Sequence, residues 1–329
     1  MKALAAALLA SIPAVAGAQE IAAAYDAKRC VNLGNDLERP KGASWGARAH
    51  TVADLEKIKS AGFDTVRIPV RWDDYAADEE PFTIDPAFFE RVDALVEPAL
   101  AMDLNVILNI HHFDEVMEEP RDYARKFLGL WRQIATHYND APDSLWYETL
   151  NEPRDALEGE LMRAYQDVAV KGIREIDPER IIILMGDNWS SIRSLETNMD
   201  APDENIVFSF HYYDPFEFTH QGAEWLGENM PKGKRGWGNT DERQALKRDA
   251  DTAAAFAEAT GHRVFLGEIG VNSAAKNRER VKYMGAVAEE MEKRDIAWCI
   301  WAYTNTFSLH TDDKGWDKAA LKALGLNAP

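Results

Sequence analysis

SLWYETLNE, residues 144–152, runs from bulky apolar side chains into an amide and a carboxylate, and Pro153 follows. Leu145 to Leu150 has the make-up of a strand covered on both faces, without the strict alternation of a sheet with one wet side. Pro153 has no N–H to give, so the ladder cannot continue through it. The segment predicts a buried strand whose C-terminal end carries Asn151 and Glu152 into a loop.

The same form recurs seven times. CVNLGN (30–35), DTVRIPV (64–70), NVILNIHH (105–112), RIIILMG (180–186), NIVFSFHYY (205–213), RVFLGEIG (263–270) and IAWCIWAY (296–303) all read as strands. Amphipathic stretches separate them. TVADLEKIKSAG (51–62) is helical, with Thr51 as N-cap and Gly62 as stop. DPAFFERVDALVEPALAMD (85–103), PRDYARKFLGLWRQIATHY (120–138) and LEGELMRAYQDVAVKGIREID (157–177) are helical too. So are DERQALKRDADTAAAFAEATG (241–261), RERVKYMGAVAEEMEKRD (278–295) and a short closing DKAALKALG (317–325). The fifth strand is followed by the irregular DNWSSIRSLETN, where a helix is least expected. Eight β/α units in about 300 residues predict an α/β chain folded as a single-domain (β/α)8 TIM barrel. A doubly wound open sheet is the alternative; no Gly-rich phosphate loop follows the first strand to favour it.

MKALAAALLASIPAVAGAQE (1–20) has the pattern of a secretory signal: Lys2, an Ala/Leu-rich stretch, then Ala16-Gly17-Ala18. Its apolar part is too short to span a bilayer. Cleavage after Ala18 is expected, leaving residues 19–329 as the mature domain, secreted or periplasmic. The formal net charge of −19 argues against nucleic acid and against an anionic membrane as partners. A neutral carbohydrate meets no such repulsion. The two cysteines, Cys30 and Cys299, are too few for a Cys-rich zinc site. They fall on the first and last strands, neighbours in a closed barrel, where a disulfide or two buried thiols are both compatible with the sequence.

In such a barrel, chemistry sits at the C-terminal ends of the strands. Those ends carry Asn32 and Asn35, Arg67, His111 and His112, Asn151 and Glu152, His211 and Tyr213, Glu268, and Trp301. Glu152 and Glu268 end strands four and seven, so their carboxylates can face each other across the mouth. Two opposed carboxylates are what glycoside hydrolysis needs: one protonates the leaving oxygen, the other attacks the anomeric carbon or activates water. Consecutive strand residues point to opposite faces, so His111 and His112 are not expected to share a metal; no metal or cofactor is expected.

LNEP (150–153), HYY (211–213) and FLGEIG (265–270), after VRIPV (66–70) and ILNIHH (107–112), resemble glycoside hydrolase family 5, cellulase-like retaining β-glycanases. The resemblance runs from about Asn32 to Trp301. It implies Glu152 as acid/base and Glu268 as nucleophile, supported by Arg67, His111, Asn151, His211 and Tyr213. Trp301 would floor the sugar site, with Trp298 a weaker competitor. His112, Asn32, Trp45 and Trp189 are further candidates for substrate contact, and Trp72 and Trp225 lie in or beside the same loops. Arg67 and Tyr213 should hold Glu268 ionised, and burial beside Glu268 should raise Glu152. The expected activity is a monomeric retaining endo-β-1,4-glucanase acting on soluble or amorphous β-glucan. Alternatives are a mannanase, mixed-linkage glucanase or xyloglucanase, or a non-catalytic glycan-binding barrel.

Overall fold

The computed structural model describes residues 25–197, 201–232 and 234–329. The expected signal and its cleavage site lie outside the described residues. Eight parallel strands close into a barrel in sequence order. They are β1 (Arg29–Asn32), β2 (Thr65–Ile68), β3 (Asn105–Asn109), β4 (Leu145–Glu148), β5 (Ile182–Met185), β6 (Ile206–His211), β7 (Arg263–Ile269) and β8 (Ala297–Ile300). Closure between β1 and β8 leaves no sheet edge and removes the open-sheet alternative.

The strands pair over fewer residues than their apolar runs suggested. The β1 run continues to Asn35, which sits in a left-handed turn at φ 69° and gives its N–H to Glu38. The β3 run continues to His112, three residues past the last paired residue. Polar residues beyond the ladder are the start of the βα loops.

Each strand is buried on both faces, and the two faces do different work. One set, including Val31, Val66, Val106, Tyr147 and Phe208, packs outward against the helices. The other set points into the barrel. At the N-terminal end it is apolar: Cys30, Ile107, Trp146, Ile183, Val207, Phe265 and Cys299, with the Tyr25 ring tilted against Trp146 at 4.6 Å between centroids. Two residues further along the same faces the interior turns polar. Asn32, Arg67, Asn109, Glu148 and Ser209 are all fully buried there. The period of two along a strand makes this switch possible without breaking any ladder.

A register shift between β6 and β7 pairs Phe210 with Leu266 but His211 with Glu268, passing over Gly267. The bulge turns Glu268, which simple alternation would aim at the helices, to the interior beside His211.

The helices follow the sequence signals. Thr51 and Asp54 form a capping box at Val52–Ala61, and Gly62 ends that helix at φ 94°. Asn239 and Glu242 do the same for Thr240–Thr260. Among the described residues, β5 is followed by two short helical turns, and Asn188, Trp189 and Ser190 all have positive φ. A small antiparallel pair, His310–Thr311 with Gly315–Trp316, precedes the closing helix Lys318–Ala323. Cys30 and Cys299 are register partners with Cα atoms 4.1 Å apart, and a disulfide joins them across the closure of the barrel. No helix among the described residues is long and apolar enough to cross a membrane.

Candidate active site

The polar layer is organised by Arg67. Its Nε and Nη2 donate to the two carboxylate oxygens of Glu148 at 2.9 and 2.5 Å. Its Nη1 donates to Asn32 Oδ1 and to Glu268 Oε1, both at 2.8 Å. Nη2 also reaches Asn151 Oδ1 at 2.7 Å. One buried guanidinium thus fixes acceptors from β1, β4, β7 and the β4 loop. Burial alone would weaken its hold on the proton, but Glu148 and Glu268 more than compensate and keep it charged. Glu148, which also accepts from Asn109 at 2.7 Å, was not singled out in the sequence. The signal was its position: four residues before Glu152 on the strand, a carboxylate inside an apolar run.

Glu268 lies at the end of β7 with Arg67 on one oxygen and the Tyr213 hydroxyl donating to the other at 2.8 Å. Glu152 lies just past β4 at φ 45°, a left-handed conformation that costs a non-glycine residue of order 1–3 kcal/mol and clusters at working sites. Pro153 follows it. His211 Nδ1 is 2.7 Å from Glu152 Oε1 and 3.6 Å from Glu268 Oε2. One oxygen of each carboxylate and a His211 ring nitrogen lie within 4.8 Å of one another. That spacing is in the range of enzymes whose second carboxylate attacks directly, and short of the 6.5–9.5 Å, roughly, that leaves room for an intervening water.

The proton affinities run opposite to expectation. Burial pushes Glu268 above the usual carboxylate range, since Arg67's single charge is divided between it and Glu148 and Glu152 adds a like charge. Burial also pushes Glu152 up, but the His211 hydrogen bond outweighs it and holds that carboxyl low. Tyr213 stays a phenol: burial and then the Glu268 charge raise it well above its ordinary value.

The walls are partly as expected. The Trp301 ring stacks parallel to His111 with centroids 5.3 Å apart. Gly34 lets it lie there: a Cβ on Gly34 would come within 2.7 Å of the indole. Trp298 is fully buried with Nε1 facing Glu292, so it is core and Trp301 is the platform. His111 is buried, kept neutral by that burial, and touches Asn109 Nδ2 through Nδ1 at 3.1 Å. His112 does not point to the opposite face. Both rings lie past the end of β3, where alternation no longer applies, and they meet edge-on at 4.7 Å. Trp45 packs edge-on to His112 at 6.0 Å and is 46% exposed. Trp189 is 53% exposed and receives the Arg154 guanidinium at 4.5 Å from its ring. Trp225 is exposed near Phe307 and His220. Trp72 is fully buried among Phe88 and Phe89 and donates to Asn109 O at 2.9 Å, which makes it core and no cleft residue.

The Glu152–His211–Glu268 set is a poor cation cage. Its atoms are engaged with one another, with Tyr213 and with Arg67, whose fixed positive charge opposes a metal at that spot.

A closed (β/α)8 barrel with two such carboxylates at the mouths of its fourth and seventh strands defines the class, a glycoside hydrolase. The chain belongs to glycosyl hydrolase family 5, the cellulase family, whose pattern it matches over residues 29–307. It is 32% identical over 301 residues to Endoglucanase H of Acetivibrio thermocellus, covering 89% of this chain but only 32% of that protein, about a third of its length. Among solved structures it is similar to a cellulose synthase subunit Z from Clostridioides difficile, with 40% identity, a TM-score of 0.87, and coverage of 91% of this chain and 99% of that one. Cel5A of Thermotoga maritima, solved with cellobiose, is 36% identical with a TM-score of 0.87 over 90% of this chain and 97% of that one. The same protein was also solved with mannotriose.

Proposed function

We propose that this protein is a retaining endo-β-1,4-glucanase acting on soluble or amorphous β-glucan. The observation that carries the reading is the close approach of Glu152, His211 and Glu268 within 4.8 Å of one another. Glu268 attacks the anomeric carbon while Glu152 gives its proton to the glycosidic oxygen, and the shortened chain leaves. Glu152 then takes a proton from water, which attacks the same carbon and releases Glu268. The proton needed for the first step is held by the Glu152–His211 pair, 2.7 Å apart.

Asn151 keeps its amide group free for the sugar 2-hydroxyl because its oxygen is tied to Arg67. Trp301 presents an apolar plane to the C–H face of the sugar. Trp45, His112 and Trp189 extend the cleft, and His111 and Asn32 brace it. Export through the N-terminal signal and action as a monomer belong to the same reading.

The names of the relatives favour a β-1,4-glucan backbone, and the mannotriose complex of the T. maritima relative makes β-mannan the second reading. A panel of soluble polysaccharides separates them. Carboxymethylcellulose or mixed-linkage glucan should be cleaved fastest; fastest cleavage of mannan would reassign the substrate, and no cleavage of any would favour a non-catalytic barrel.

Glu152→Gln should cost roughly 10²–10⁴-fold in kcat/KM on unactivated glucan. On an aryl cellobioside with a leaving group that needs no proton, the formation step should be nearly spared. Equal losses on both substrates would remove Glu152 from the acid role.

A further inference from the structure

His211 is bonded at one nitrogen only. Its Nδ1 faces Glu152, while its buried Nε2 has no hydrogen-bond partner among the described residues. Ser209, two residues earlier on β6 and facing the same interior, is fully buried, and its hydroxyl has no partner either. Two orphaned polar atoms in one place are unusual, because each buried group left alone costs free energy.

Gly267 brings them together. A Cβ on that residue would stand 2.7 Å from Ser209 Oγ and 3.0 Å from His211 Nε2. Both atoms therefore border the one spot that the missing side chain leaves open, where β7 bulges to deliver Glu268.

We propose that Ser209 is a positioning residue that serves His211 Nε2, directly or through one water, and so sets where the acid's proton resides. This rests on the glycosidase reading above. In the reactive form the Glu152–His211 pair holds two protons, and Nε2 then carries an N–H that needs an acceptor. In the spent form the ring keeps one proton, on Nδ1 facing the Glu152 carboxylate, and Nε2 is a bare lone pair that needs a donor. A hydroxyl can turn to do either. An apolar side chain can do neither, and the loss falls hardest on the form with the charge-assisted bond.

Among the other groups around the pair, Arg67 and Arg154 stay cations across this step, and Glu268 loses its charge to the glycosyl bond in the wild type and in Ser209 variants alike. Burial holds His111, His112 and His220 neutral and keeps Tyr213 protonated.

The test is the pH profile of kcat/KM on unactivated glucan for Ser209→Ala and Ser209→Thr. Ser209→Ala should move the alkaline limb about one pH unit toward acid, because the two-proton form is the one destabilised. The acid limb, set by ionisation of Glu268, should stay in place. Ser209→Thr, which keeps the hydroxyl, should restore the wild-type limb. On an aryl cellobioside with an activated leaving group the shift should vanish, since no proton is required.

A Ser209→Ala profile with unmoved limbs and an equal loss at every pH would overturn the proposal and leave Ser209 a packing residue. A shift in both limbs, or one that Thr fails to restore, would overturn it also. Failure of the underlying glycosidase reading would look different: the wild-type alkaline limb would survive Glu152→Gln.

Discussion

Glu268→Gln is expected to abolish turnover, by roughly 10⁴-fold or more, while the protein stays folded. The amide cannot form the glycosyl ester, and no other carboxylate can take its place. Glu148 is fully buried and both its oxygens are committed to Arg67 and Asn109. The fold should tolerate the change. The amide oxygen can still accept from Arg67 Nη1, and the amide N–H can turn to the Tyr213 oxygen. Arg67 retains Glu148 as a counter-ion, so no buried charge is stranded. Steady-state kinetics with a thermal melt in parallel would check both halves. Near-normal activity in the folded variant would end the double-displacement account.

Arg67→Met should act in the opposite way, on the fold first. Removing the cation leaves Glu148 and Glu268 buried and facing each other without compensation, and Asn32 and Asn151 each lose a donor. Breaking a buried ion pair from one side costs about 3–5 kcal/mol. A denaturation midpoint far below wild type is expected, together with lost activity. Arg67→Met combined with Glu148→Leu removes both members of the fully buried pair and should recover much of the stability but none of the activity. If the single variant melted near the wild type, the polar layer would not depend on Arg67 as the hydrogen bonds imply.

Much of this was legible in the chain because the barrel imposes two strong periodicities. Apolar runs that end in polar residues gave the eight strands, and Glu152 and Glu268 stood out as carboxylates at such ends. The contacts expected of Tyr213 and Arg67 with Glu268 also formed, and His211, expected as a supporting residue, pairs with Glu152.

What stayed hidden was whatever depends on depth inside the barrel. Glu148 looked like a break in an apolar run, because only the closed structure shows that its face points at Arg67. Trp72 and Trp189 look alike in sequence, yet one is fully buried and the other half-exposed. The reversed proton affinities follow from the burial of Glu268 and from the His211 hydrogen bond to Glu152, neither of which spacing along the chain reveals. The bulge at Gly267 was equally silent, since alternation predicts the wrong face for Glu268.

The retaining geometry is the central claim, and the configuration of the first-formed product tests it most directly. Proton NMR of a cellooligosaccharide digest, recorded before mutarotation, should show the new reducing end appearing as the β anomer and the α anomer growing in later. An initial α anomer would mean a single displacement by water and would contradict the assignment of Glu268 as nucleophile.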